Sequence, residues 1–241
     1  MNCKEEEKRS ARLLGLEALA KLRNAHVAVF GVGGVGGYVC EALARTGVGA
    51  LTVIDADTVS LSNINRQTVA LHSTVGRKKV DVMAERIRDI NPDCRVTAIA
   101  EFYLPENAAE FPLAEYDFVI DAIDTVKAKI DLAVRATTEG VPFLSAMGAG
   151  NKLDPSRFVI TDLEKTSGCP LARVMRVELR KRGIRHLTVA YSAEPAAKPA
   201  ADAPDADEKG TAGRPAPGSL PYVVGTEGLL IAGEVIRKLT E

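Results

Sequence analysis

Apolar residues recur in two ways along this chain, at helical spacing in some windows and as short unbroken runs in others, and the two alternate. The segment ARLLGLEALAKLRN, from residue 11 to about 24, sets Leu13, Leu16, Leu19 and Ala20 on one helical face. Lys21 and Arg23 stand in its last turn, where cations suit the carbonyl end of a helix. A strand over 26–30 follows, then the glycine run GVGGVGG from Gly31 to Gly37, a helix at about 35–46, and a strand from Ala50 to Ile54 that ends at Asp55. Beyond it the pattern predicts a helix at about 76–91, a strand from Arg95 to Ala100, and a strand from Asp117 to Ile120 that stops in DAID. A helix over 125–139 and a strand from Val141 to Ala146 complete the series. Strand and helix in alternation predict an α/β, doubly wound, mostly parallel sheet with helices on both faces. Ligands of such sheets lie beyond the carboxyl ends of the strands, where Gly31, Asp55, Asp121 and Asp124 would converge.

After residue 150 the texture changes. Phe158 to Leu163 and Leu187 to Tyr191 read as strands and Pro170 to Arg182 as a helix, while Gly218 to Glu241 returns to an apolar helix. Between them, Glu194 to Ser219 is rich in Pro, Ala, Gly and charge and is expected to be a mobile loop, since it cannot bury enough apolar surface to offset the entropy of ordering. The expectation is one domain, 1–241, made of a Rossmann-like nucleotide-binding core at 9–150, a C-terminal part at 151–193 and 220–241, and the loop at 194–219. At 46% hydrophobic and 26% charged residues, 241 residues suffice for such a core. A net charge of −1 leaves any attraction for nucleic acid to a local patch. The four cysteines, Cys3, Cys40, Cys94 and Cys169, form no C-x-x-C pair, and neither signal peptide nor bilayer-spanning stretch is evident, so a reduced, cytoplasmic setting is expected.

GVGGVG fits G-x-G-x-x-G through Gly31, Gly33 and Gly36, with Gly34 between them, a loop whose backbone N–H groups suit phosphate. Asp55, 24 residues beyond Gly31, is placed to accept hydrogen bonds from ribose hydroxyls. Those two features serve a nicotinamide or flavin dinucleotide equally well. Asn63 and Arg66, just past Asp55, and Lys79, at a helix start, shift the balance, because a triphosphate needs extra cations and donors for its β and γ groups. Asp124, after the third strand of the core, offers a carboxylate to Mg²⁺ bridging phosphate oxygens, so the set reads as ATP with Mg²⁺.

GVGGVG, DADTVSLSNINRQ, the Lys79 of GRKKV and the DAIDT holding Asp124 together resemble the adenylation domain of the ubiquitin-activating-like (ThiF/MoeB-type) superfamily over about residues 9–150. The resemblance implies a homodimer, in which Arg12 of RSARLLG would reach the γ-phosphate held by the partner subunit. Within the superfamily, ITDLEKTSGCPLARVMR, VAYSAEP and GSLPYVVGTEGLLIAGEVI resemble the tRNA threonylcarbamoyladenosine dehydratases over nearly the whole chain. That implies ATP-dependent cyclisation of threonylcarbamoyladenosine beside the anticodon through carboxylate adenylation, with Arg12, Arg66, Lys79 and Asp124 as the catalytic set. It leaves room for a cysteine desulfurase or sulfur-acceptor protein as a further partner.

Other readings stay open on the residues alone: adenylation of the C-terminus of a ubiquitin-like sulfur carrier, NAD-dependent hydride transfer, or nucleotide sensing without catalysis. Asp121 reads more readily as a structural carboxylate than as a metal ligand, and Cys169 as a passive small residue, since internal cyclisation supplies its own nucleophile. Lys165, Arg173, Arg176, Arg180, Lys181, Arg182 and Arg185 cluster in a short span. Arg173, Arg176 and Arg180 share a helical face, and Leu171, Val174, Met175 and Leu179 are expected to pack inward opposite them. That face is either solvated or a phosphate-backbone footprint for tRNA, with Arg173, Arg176, Arg180 and Lys181 as the candidate contacts.

Overall fold

A computed structural model describes residues 3–203 and 216–241. Seven strands form one sheet: β1 (His26–Phe30), β2 (Ala50–Ile54), β3 (Arg95–Ile99), β4 (Phe118–Asp121), β5 (Phe143–Ala146), β6 (Phe158–Asp162) and β7 (Thr188–Ser192). Their order is β3-β2-β1-β4-β5-β7-β6, every neighbouring pair being parallel except antiparallel β6 and β7. The central runs are buried on both faces, which is why VAVF and LTVI are unbroken rather than alternating. Among the described residues the α-helices are α1 (Lys8–Asn24), α2 (Gly36–Arg45), α3 (Lys79–Ile90), α4 (Val126–Glu139), α5 (Pro170–Arg180) and α6 (Pro221–Thr240). Buried side chains of α1, α2, α3 and α6 pack on one face of the sheet, while those of α4 and α5 pack on the other. The doubly wound architecture is as expected. The chain winds outward from β1 through β2 to β3, then returns to the other side of β1 with β4. The crevice between the carboxyl ends of β1 and β4 is therefore the switch point at which such sheets bind ligands.

Two expectations need correction. Gly15 breaks α1 with φ 84 and ψ 164, so the leucines ahead of it and behind it do not share a face. Leu19 and Leu22 are buried, whereas Leu13 is 90% exposed and Leu16 45%. On α5, Ala172, Met175 and Leu179 face the core, but Val174 lies with Val177 on the exposed side. The sheet-ward stripe is set by i, i+3, i+7 from Ala172, and Val174 falls off it. The excursion over 194–219 begins and ends in hydrogen bonds to the rest of the chain. The Glu194 carboxylate accepts from the Leu153 and Asp154 amides at 3.0 and 3.1 Å, and Ser219 O accepts from Asn65 Nδ2 at 3.0 Å. Composition misses these anchors because the backbone partners of Glu194 and Asn65 leave no signature in residue identity. Residues 204–215 lie outside the described residues.

No helix among the described residues is long and apolar enough to cross a membrane. Asp121, at the end of β4, is fully buried. Lys129 of α4 pairs with it at 2.9 Å and Ser145 Oγ donates to it at 2.6 Å. Lys129 Nζ also donates to Ile123 O at 3.1 Å, and Asp121 accepts from the Ile123 amide at 3.1 Å. The pair thus fixes the turn that carries Asp124, which is a structural role for Asp121.

Candidate nucleotide site

β1 delivers the chain into the glycine loop with Gly31 at φ +92, and a Cβ there would sit 2.6 Å from Ala122 O. A Cβ on Gly36 would fall 1.9 Å from Gly31 O. These two positions must be glycine for the loop to fold back against both the β4 turn and the start of α2. Among the described residues no side chain caps α2, but the Gly37 and Tyr38 amides donate to Gly33 O and Val35 O, each at 3.1 Å, so an anion here would draw on the loop amides ahead of them. The Asp55 carboxylate holds the loop from the β2 side, accepting from the Val32 amide at 2.7 Å and the Asp57 amide at 2.9 Å. Each of its oxygens keeps a lone pair for a ribose hydroxyl.

The segment after β2 brings in the cations. Asn63 is buried and its Oδ1 accepts from the Ser60 amide at 3.1 Å, which fixes the turn from which Arg66 projects. The Arg66 guanidinium donates to Ser62 O at 3.0 Å and Asn65 Oδ1 at 2.8 Å, neither of them a carboxylate, so its positive charge is uncompensated by any of its partners. Lys79 is buried at the start of α3 and pairs with Asp57 at 2.7 Å. Asp124 and Thr125 close the opposite side, Thr125 Oγ1 lying 3.4 Å from Asp124 Oδ1.

Gly31, Gly33, Gly34, Asp55, Asn63, Arg66, Lys79 and Asp124 line one cleft of about 590 Å³, with Glu101 to Leu104 at one end and Gly148 to Gly150, Ala216, Pro217 and Ser219 at the other. Gly36 lies behind it, and Arg12, on the exposed first half of α1, is not among the residues lining this cleft of its own chain. Gln67 and the 216–219 wall escaped the sequence reading. Gln67 is buried beside Gly33, and its Oε1 has no partner among the described residues, the mark of a polar group awaiting a ligand. Its position directly after Arg66 is the one signal that could have found it.

The basic row on α5 disperses. Arg176 turns inward and donates to Thr166 O at 2.9 Å and Leu163 O at 3.3 Å, holding the turn before α5. Arg180 pairs with Glu164, and Lys181 and Arg182 both pair with Glu178, at 2.6 and 2.9 Å. Arg173 is exposed with no ion pair among the described residues, on the wall of a second groove shared with Cys169, Val174 and Val177. The sequence showed the spacing of the arginines but not the acidic partners supplied by Glu164 and Glu178.

Among the described residues no group of three His, Cys, Asp or Glu side chains could hold a metal by itself. A Mg²⁺ ion held by one carboxylate and by the phosphates it accompanies is still compatible with Asp124, because this ion binds through one or two carboxylates plus phosphate oxygens.

Comparison with known proteins agrees with this geometry. A Bacillus subtilis (strain 168) protein, "tRNA threonylcarbamoyladenosine dehydratase", is 49% identical over 177 residues, 73% of this chain and 70% of its own length. The Escherichia coli (strain K12) protein of the same name is 47% identical over 171 residues, and the match spans 71% of this chain and 64% of the relative. The solved structure of the E. coli tRNA N6-threonylcarbamoyladenosine dehydratase in complex with ATP superposes with a TM-score of 0.86 at 37% identity, covering 98% of this chain and 93% of that one. The ThiF family profile matches residues 7–241, and with its glycine loop, Asp55, Arg66 and Lys79 gathered in one cleft the chain belongs to the ThiF family.

Proposed function

We propose that this chain is an ATP-dependent tRNA-modifying enzyme that dehydrates, by cyclisation, the N6-threonylcarbamoyladenosine next to the anticodon, working in the cytoplasm as a homodimer. The observation that carries the reading is the convergence of Gly31, Asp55, Arg66, Lys79 and Asp124 on one cleft. A dinucleotide's pyrophosphate would be satisfied by the loop and α2 alone, whereas Arg66 and Lys79 add two cations suited to a triphosphate. The E. coli relative solved with ATP and with AMP supports ATP as the nucleotide.

The chemistry follows from the weak electrophilicity of a carboxylate. The substrate's threonyl carboxylate attacks the α-phosphorus of ATP, pyrophosphate leaves, and the mixed anhydride with AMP carries an activated carbonyl. A nucleophile within the same modification closes on that carbonyl and expels AMP, for a net loss of water. Asp55 holds the ribose, the amides of the glycine loop receive phosphate oxygens, and Arg66 and Lys79 draw off charge as pyrophosphate departs. Asp124 would hold Mg²⁺, which supplies further charge neutralisation to the phosphates when bound. Arg12 of the partner subunit would complete the triphosphate site, the exposed Leu13 and Leu16 beside it forming part of the contact. On α5, Arg173 is the leading tRNA-phosphate contact, while Arg180 and Lys181 can take part only by sharing with Glu164 and Glu178. A cysteine desulfurase or sulfur acceptor is a further candidate partner.

Mass spectrometry of nucleosides from modified tRNA incubated with protein and ATP tests the reading directly. Loss of one water from threonylcarbamoyladenosine is expected. Asp124→Ala should abolish it with the melting temperature unchanged, and undiminished turnover in that variant would remove the metal role. Pyrophosphate exchange stimulated by a ubiquitin-like carrier and not by tRNA would instead support the sulfur-carrier reading.

A further inference from the structure

We propose that Asn151 is a positioning residue that clasps the acceptor-side wall of the nucleotide cleft; the acceptor assignment rests on the nucleotide reading above. Along the sheet, Asp55 at the end of β2 marks the ribose end of the cleft. The end of β5, residues 146–150, lies on the far side of β1 and β4 from it, beyond Asp124, and on the nucleotide reading this is the side from which the substrate carboxylate approaches the α-phosphate. The wall on that side is Gly150 with Ala216, Pro217 and Ser219.

Asn151 builds that wall with three hydrogen bonds. Its amide donates to Gly218 O at 2.8 Å, its Oδ1 accepts from the Gly218 amide at 2.7 Å, and its carbonyl accepts from the Ala197 amide at 2.7 Å. One residue therefore joins the end of β5 to both described flanks of the Pro- and Ala-rich excursion. Asn65 Nδ2, donating to Ser219 O at 3.0 Å, ties the same wall to the turn that bears Asn63 and Arg66. Next to the clasp, buried Lys152 donates to Ser192 O at 3.4 Å and to Glu194 O, so the support beneath it is itself fixed.

The backbone of Asn151 is what makes the residue choice informative. Its φ of 56 makes it the one non-glycine residue among those described with a left-handed backbone. Strain of this kind persists only where surrounding structure imposes it, and it concentrates at functional sites. Glycine would adopt the conformation without cost but has no Oδ1 for the Gly218 amide, whereas asparagine tolerates the conformation and supplies the acceptor. The wall also leaves no slack, since a Cβ on Gly150 would fall 2.7 Å from Pro217 Cβ. Asn151 thus holds Pro217 and Ser219 against the reacting end of the cleft, where they bound the space for the substrate carboxylate and keep water from the activated carbonyl.

Asn151→Gly and Asn151→Asp separate the clasp from simple folding, because the first keeps the backbone and loses the acceptor while the second keeps an acceptor. In Asn151→Gly, hydrogen exchange at the Gly218 amide should quicken and the KM for modified tRNA should rise, each by about tenfold, the equivalent of one net hydrogen bond. ATP affinity should stay at the wild-type value, the melting temperature should fall by no more than a few degrees, and Asn151→Asp, which keeps an acceptor, should hold exchange at the Gly218 amide at the wild-type rate. Unchanged exchange at Gly218 overturns the clasp, and weakened ATP binding with an unchanged KM for tRNA overturns the acceptor-side assignment. A wild-type chain that exchanges pyrophosphate yet never dehydrates tRNA would refute the substrate reading, and exchange at Gly218 would still decide the clasp.

Discussion

Lys79 carries its charge into the cleft already paired with Asp57, and the two environments differ: Lys79 is buried while its partner is half-exposed. Removing the lysine strands a carboxylate that water can still reach but also loses the packing of a buried stem, so Lys79→Ala should cost roughly 1 to 3 kcal/mol of stability. ATP affinity should fall by about tenfold or more, because the proposed contact with phosphate is charge-assisted; calorimetry alongside thermal melts reads both. Glu227 of α6 is the opposite case, a fully buried carboxyl that no side chain hydrogen-bonds among the described residues and that has the Met147 backbone beside it. Burial pushes its carboxyl well above the usual carboxylate range, against the opposing pull of Lys129 and Lys152. The folded chain therefore keeps this proton over a pH interval in which the unfolded chain has released it, and stability falls as pH rises through that interval. Glutamine does not titrate, so the stability of Glu227→Gln relative to wild type should grow between pH 5 and pH 8, as measured by urea midpoints. A difference constant with pH would mean that the carboxyl is ionised in the fold.

At the scale of the element, the glycine loop is held by contacts that admit no side chain. Gly36→Ala would force a methyl to within 1.9 Å of Gly31 O, so α2 must shift off the loop. A stability loss of roughly 2 to 4 kcal/mol is expected, together with loss of ATP binding, since the displaced loop amides are the proposed phosphate donors. The α5 helix shows how an element can carry charge without presenting it. Because Arg176 binds backbone carbonyls and Arg180 pairs with Glu164, the exposed positive charge narrows toward Arg173. Arg173→Ala should weaken tRNA binding and flatten its salt dependence by about one unit of log–log slope, with ATP affinity untouched. Arg176→Ala should instead lower the melting temperature, because it removes donors from Leu163 O and Thr166 O.

At the scale of the molecule, the proposed dimer makes each site depend on two chains. Mixing Arg12→Ala with Asp124→Ala subunits should yield heterodimers with one site that has both groups intact, and random mixing should restore about a quarter of wild-type turnover from two inactive proteins. No recovery would place Arg12 outside the partner's site. The sheet was legible from the sequence because a parallel core buried on both faces demands unbroken apolar runs, and β1, β2 and the glycine loop follow that demand locally. Gly31, Asp55, Lys79 and Asp124 were legible because each stands at the carboxyl end of a strand or the start of a helix, positions that periodicity alone locates. What tertiary structure decided was pairing across distance. The union of Asp57 with Lys79, the burial of Glu227, the diversion of Arg176 and Arg180, and the closure of the 216–219 wall by Asn151 all join residues that no local pattern relates. Local periodicity fixes which face of an element is buried, but which polar groups then meet depends on how the packed elements bring distant segments together, and backbone donors and acceptors leave no trace in residue identity.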